Sequence, residues 1–261
     1  MLHHLLRRAA PALALVAACA GAPAVADPRP GVVFTLGAGA RLAPDYFGAD
    51  SRSVGPTGRF GFQELRLPGG FGIGSPDARP LDSGFGVGGS FRYIGSRKAA
   101  DFPELAGLTD VSRALELGLE IRQVHEFWRV FAAARYGVVG HRAWVGEVGA
   151  DAILRASDRL TLTAGPRAAF GSGRFQRTYF GITPAEAAAS GLAAHAPSSG
   201  LVSVGAEIGM RYALDRDWGI EGAITWDRLQ GDAGRSPIAA QGSRDQVGAR
   251  LLVTRRFSFG G

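Results

Sequence analysis

Long, strict alternation of apolar and polar residues is the feature that most limits what this chain can become. It is clearest over 201–228, LVSVGAEIGMRYALDRDWGIEGAITWDR. Val202, Val204, Ala206, Ile208, Met210, Tyr212 and Leu214 fall on one face, with Ser203, Gly205, Glu207, Gly209 and Arg211 on the other. After a turn at 214–217, Trp218, Ile220, Gly222, Ile224 and Trp226 alternate with Gly219, Glu221, Ala223, Thr225 and Asp227. A period of two marks a strand with one apolar and one polar face. Globular strands average about five or six residues, whereas a tilted strand that crosses a bilayer needs about nine to eleven. A hairpin of a large soluble sheet would read the same way. What decides is whether the pattern repeats.

It does. Val32, Phe34, Leu36, Ala38, Ala40 and Leu42 alternate with small or polar residues, and 54–67 forms a weaker strand with Phe60 and Phe62 on its apolar side. Glycines blur the register of 85–95, where Phe85, Val87 and Phe91 or their neighbours are expected outward. Leu115, Leu117, Leu119 and Ile121 then alternate with Glu116, Gly118, Glu120 and Arg122. Strands follow from Trp128, Trp144 and Leu160, and a last one carries Val247, Ala249, Leu251, Val253, Arg255, Phe257 and Phe259 on one face. Pro166 sits badly in this scheme, because proline offers no N–H to a ladder.

The connections sort by length. Those at 123–126, 156–159 and 214–217 are short, and those at 45–53, 96–112, 172–199 and 229–245 are long. Short and long alternate, with 139–142 a compact partner on the long side and the Gly/Pro-rich 68–83 an irregular one on the short side. A transmembrane β-barrel has short periplasmic turns, long outer loops and an even strand count. The reading is therefore an all-β, antiparallel transmembrane β-barrel of about ten strands (about ten to twelve) in the outer membrane. In the longest loop, Thr183, Pro184, Glu186 and Gly191 spell one short helix with a capping box and a glycine stop. Trp128 and Trp218 lie at short-turn ends and Trp144 and Trp226 at long-loop ends, all on the apolar face, as an interfacial girdle requires.

The N-terminus agrees with export. Arg7 and Arg8, the apolar PALALVAACA and the Ala24-Val25-Ala26 site read as a secretory signal peptide over 1–26, with the barrel over 27–261. Val16–Cys19 spells a lipoprotein cleavage box as the alternative, and Cys19 is the only cysteine. No stretch is long and apolar enough for a spanning helix. Apart from Lys98 every basic side chain is arginine, and the modest positive charge gives no nucleic-acid surface. The surroundings implied are outer-membrane lipid and lipopolysaccharide, with the oligomeric state left open.

Five segments resemble the MipA/OmpV family of outer-membrane proteins. They are PDYFGAD at 44–50, FPELAGLTDVSRALELG at 102–118, YFGITPAEAAASGL at 179–192, WDRLQGDAGRSPI at 226–238 and RRF at 255–257. The closing Gly260–Gly261 departs from the family's usual terminal aromatic. The resemblance implies a non-catalytic barrel with no cofactor. Its founding member is regarded as a scaffold joining a lytic murein transglycosylase to a bifunctional penicillin-binding protein. Periplasmic murein-processing enzymes are therefore the partners it implies, and the family offers no catalytic residues to carry over.

Nothing in the residues requires chemistry either. GVGGSF at 86–91 lacks dinucleotide-loop spacing. His125, His141 and His195 are too scattered for a metal site, and His141 with Glu147 lacks an evident serine to complete a hydrolytic set. No catalytic, cofactor or metal residue is assigned. The inward face is the informative one: Glu116, Glu120, Arg122, Arg129, Arg135, Glu147, Asp151, Arg155, Arg167, Glu207, Arg211, Glu221, Asp227 and Arg250. In so narrow a barrel these should pair and fill the lumen. That favours a scaffold over the alternative, a narrow porin-like channel. A periplasmic partner would be met first at 68–83, and an external ligand at Tyr46–Phe47 and Tyr179–Phe180.

Overall fold

The computed structural model describes residues 30–67, 72–74, 81 and 83–260. The expected signal peptide at 1–26, the alternative at Cys19 and most of the 68–83 connection lie outside the described residues. Ten long strands and one short one are present. They are β1 (Gly31–Pro44), β2 (Arg52–Arg66), β3 (Gly72–Gly74), β4 (Gly84–Ile94), β5 (Ala114–Val124) and β6 (Trp128–Val139). The rest are β7 (Trp144–Arg155), β8 (Leu160–Gly171), β9 (Gly200–Ala213), β10 (Trp218–Leu229) and β11 (Asp245–Phe259).

All belong to one antiparallel sheet in the order β3-β2-β1-β11-β10-β9-β8-β7-β6-β5-β4. The chain's first and last strands pair directly, from Val32 opposite Phe259 to Leu42 opposite Ala249. That pairing curls the sheet and brings β2 round to face β4, so the ten long strands make a nearly closed barrel. Among the described residues no helix is long and apolar enough to cross a membrane.

The alternation read from sequence sets the two faces. Leu119, Ile208, Ile224, Leu251 and Leu154 stand 58–63% exposed on the outside, while Glu116, Asp151, Glu221 and Arg135 are buried on the inside. In water that exterior would be a large aggregation surface. Against hydrocarbon it is matched. The four tryptophans are exposed at the two rims. Trp218 lies under the Arg255 guanidinium at 5.0 Å, and Trp226 Nε1 donates to Asp245 at 3.1 Å. Amphipathic tips of this kind suit the boundary between tails and water.

Two local features differ from plain alternation. Pro166 is inside β8, opposite Ala206 of β9, and the β7 ladder lapses beside it at Ala150 and Asp151. The Ala150 carbonyl instead accepts Arg167 Nη1 at 3.2 Å. A lumenal arginine thus supplies a donor where proline has none. Val202, expected on the outer face, is buried. The register shifts where Ala169 opposes Ser203 but Phe170 opposes Leu201, leaving Val202 as the extra residue of a bulge that turns it inward.

The expected helix is α2 (Pro184–Ser190), with the Thr183–Glu186 capping box and Gly191 at φ +74°. It is not the only one. The same loop also holds α1 (Gly173–Phe180), and the last loop holds α3 (Gly231–Arg235) and α4 (Pro237–Gln241). The aromatic α1 sequence GRFQRTYF carries no capping box, and its N-cap Ser172 makes no side-chain bond. What holds it helical is tertiary packing of Phe175, Tyr179 and Phe180, which local signals do not reveal.

Ile208 sits mid-strand opposite Ile224 on the outer face. Ile208→Arg is expected to lower folding stability in lipid vesicles by about 2–4 kcal/mol, the cost of a cation near the bilayer midplane. Reversible urea unfolding in vesicles measures it. No change would mean this face does not meet hydrocarbon.

Candidate functional site

The lumen carries three groups of ion pairs. Near the long-loop end, Glu116 of β5 is completely buried and takes Arg92 of β4 in a two-point contact at 2.8 and 2.9 Å. Arg135 of β6 reaches the same carboxylate at 3.2 Å and extends to Glu147 at 2.8 Å. Midway, Asp151 is held between Arg129 and Arg167, and Glu207 joins Arg167 at 3.3 Å to Arg250 at 2.8 and 3.1 Å. The Phe131 ring lies between Arg129 and Arg167, each guanidinium 5.1 Å from its centre. Towards the short turns, Glu221 takes both Arg211 and Arg59. Two-point and shared arginine contacts of this kind are the strong form of the ion pair, and each buried charge here has a counter-charge.

Arg59 and Arg92 were not among the inward residues read from sequence. Both lie on the glycine-rich strands β2 and β4, where glycine carries no phase information. A usable signal for Arg92 was its place between Phe91 and Tyr93, a charge flanked by two outward aromatics.

His141 lies in the turn between β6 and β7. It is buried, its Nε2 lies 3.1 Å from Glu116 Oε1, and its Nδ1 accepts the Ala143 N–H at 3.1 Å. That backbone donor puts the ring proton on Nε2, aimed at Glu116. Its carboxylate partner is therefore Glu116 and not Glu147, which pairs with Arg135, and both ring nitrogens are engaged. His125 stacks on Trp128 at the short-turn rim, and His195 Nε2 contacts the Asp232 carbonyl. Among the described residues no group of three or more histidine, cysteine or carboxylate side chains is placed to hold a metal ion.

The long loops fold together into a cap seated in the outer mouth. Phe175, Tyr179 and Phe180 of α1 pack with Phe47, with Ala233 of α3 and Ala239 of α4, and with the inward wall residues Val145, Ala169 and Val202. A second cluster joins Tyr46, Leu105, Leu108, Ile182 and Ile238. The Tyr46–Phe47 and Tyr179–Phe180 pairs, expected to offer an external docking surface, are instead the inside of this cap, with Phe180 fully buried and Tyr46 and Tyr179 nearly so. The Phe47 and Tyr179 rings pack edge to face at 5.0 Å, and the Tyr46 hydroxyl donates to Glu104 at 2.9 Å. Arg97 donates to the Tyr179 carbonyl at 3.0 Å and Ser236 to that of Phe180 at 2.7 Å. Glu186 ties α2 to the preceding loop through the Thr109 N–H at 2.9 Å. Burial pushes its carboxyl up, but hydrogen bonds from Thr183 and Thr109 prevail and hold it down at about 2. Arg92 links cap and lumen, lying 6.0 Å from the Phe47 ring and 5.8 Å from that of Phe175 while holding Glu116.

The pairs do not fill the lumen as expected. They follow the wall and leave two cavities, one of about 710 Å³ towards the short turns and one of about 770 Å³ beneath the cap. Glu147, Arg167, Glu207 and Arg250 line both, so the two cavities adjoin at an ion-paired belt on the wall.

These features define a transmembrane β-barrel with a polar, ion-paired lumen and a folded outer cap. Residues 36–257 match the family described as MltA-interacting protein MipA, and the chain belongs to that family. Comparison with curated proteins gave no match. Among solved structures, an outer membrane channel from Pseudomonas putida F1 aligns at TM-score 0.45 and 12% identity, over 87% of this chain and 96% of that one. The NanC porin aligns at 0.32 and 10%, over 87% and 98%, and Ail of Yersinia pestis at 0.27 and 12%, over 88% and 99%. At these scores none of the three bears on function.

Glu116→Gln would leave Arg92 and Arg135 facing a neutral buried group. It is expected to cost about 3–5 kcal/mol, read as a shift in the urea midpoint, with faster protease cleavage in the 172–199 loop. An unchanged midpoint would show that the pair does not join cap to barrel.

Proposed function

We propose that this chain is a non-catalytic outer-membrane barrel that serves as an interaction scaffold for a murein-processing enzyme at its periplasmic rim. The observation that carries the reading is the folded cap. Phe175 and Tyr179 pack against inward wall residues of the outer mouth, while the cavity at the short-turn end is lined by polar and charged residues. The name of the family, MltA-interacting protein, supports a lytic transglycosylase as the partner class. Reading the protein as a narrow channel would require a path through both the cap and the ion-paired belt.

The contact surface proposed is the rim that includes the 68–83 connection, longer and richer in glycine and proline than the other turns at that end. Chemical crosslinking in cells followed by purification of the barrel is expected to recover a periplasmic murein enzyme. Replacing 68–83 with a short turn should abolish that recovery while the barrel still inserts. Equal recovery from both chains, or none from either, would overturn the assignment.

A further inference from the structure

We infer that the cavity at the short-turn end is a binding site for a small polyanion carrying carboxylate or phosphate groups. The inference stands whether or not the rim also holds a protein partner.

Three observations converge. The first is space: about 710 Å³ lies inside the barrel below the belt, within the usual size of a small-molecule site. The second is charge. Among the described residues, seven arginines and four glutamates line the cavity. Adding the buried carboxylates behind the wall, Asp151 and Glu116, together with Arg92, the other arginine on Glu116, eight described arginines meet six described carboxylates, an excess of two positive charges. Low-dielectric walls concentrate the field of such an excess within the cavity. The third is clearance. Gly86 and Gly88 of β4 stand directly opposite Arg122 and Glu120 of β5. A Cβ at Gly86 would meet the Arg122 side chain at 3.1 Å, and one at Gly88 would meet it at 3.0 Å. Glycine at both positions leaves room for the guanidinium over the lumenal side of β4.

Arg122 is the arginine to test. Its contact with Glu120 is loose at 3.6 Å, unlike the two-point pairs deeper in the wall. A planar guanidinium offers a fork of donors that matches a carboxylate or a phosphate. An incoming anion would replace Glu120 as its partner and offset the excess charge.

The test is calorimetric titration of the detergent-purified chain with citrate and, separately, with inorganic pyrophosphate at low ionic strength. Saturable binding of at least one is expected, weakening as sodium chloride is raised. Binding of citrate alone assigns a carboxylate ligand, of pyrophosphate alone a phosphate ligand, and of both a site for either. Arg122→Gln is expected to weaken binding about tenfold or more, the loss of one charge-assisted contact. Glu120→Gln removes the competing carboxylate and should tighten it. Opposite shifts from neighbouring residues are not what a general loosening of the barrel would produce. Should Arg122→Gln fail to fold, the tightening by Glu120→Gln decides the matter alone. No saturable binding of either probe, or a Glu120→Gln chain that binds no more tightly than the natural one, would overturn the inference.

Discussion

In hydrocarbon a backbone N–H or C=O has no water to turn to, and each one left unpaired costs several kcal/mol. This constraint lies under everything else in the molecule. It demands that the sheet curl towards closure, and the β1–β11 ladder contributes by joining the chain's first strand to its last, which brings β2 round to face β4. It also fixes where polar side chains go. With lipid outside, strand charges at the level of the hydrocarbon must face inward, Arg255 over Trp218 being at the rim, and a lumen ten strands wide brings those charges within reach of one another. The arrangement at Pro166 shows how strictly the demand is met. Where the ladder to β7 lapses, the Ala150 carbonyl is taken by the guanidinium of Arg167.

The cap follows from the same economy of partners. Long loops at one end of a barrel cannot bury much apolar surface singly, but four of them folded together can. Four of the five segments that carry the family resemblance do so. Tyr46 and Phe47, Leu105 and Leu108, Tyr179, Phe180 and Ile182, and Ala233 and Ile238 all lie in the two clusters of the cap. Glu116 and Arg92 then couple this structure to the barrel, because one carboxylate engages β4, β6 and the His141 turn at once. The cap is therefore built into the wall of the mouth, with α1 resting on Val145 and Val202.

Much of this was legible in the sequence, for identifiable reasons. From β5 to β11, leucine, isoleucine and tryptophan alternate with charges, so the phase of each strand is explicit, and the segregation of short from long connections gives the barrel its direction. In β2 and β4 glycine falls on both faces, Gly58 and Gly89 outward and Gly61, Gly86 and Gly88 inward, so the phase vanishes, and with it Arg59 and Arg92. The bulge at Val202 adds a residue without breaking the pattern, so alternation alone puts that side chain on the wrong face. The α2 helix was readable because its cap is local, whereas α1 depends on partners from other loops. The aromatic pairs of the cap were visible as residues but not as a core, since exposure in a loop is decided by the other loops around it. For the lumen, sequence supplied the charges and not the volume between them.

We propose that the cap packed into the long-loop mouth closes the barrel to solute flow. Recording from the purified chain in planar lipid bilayers tests it most directly. The account predicts no large, steady conductance from the intact protein in symmetric salt. A large and steady open level, present without any change to the loops, would contradict it.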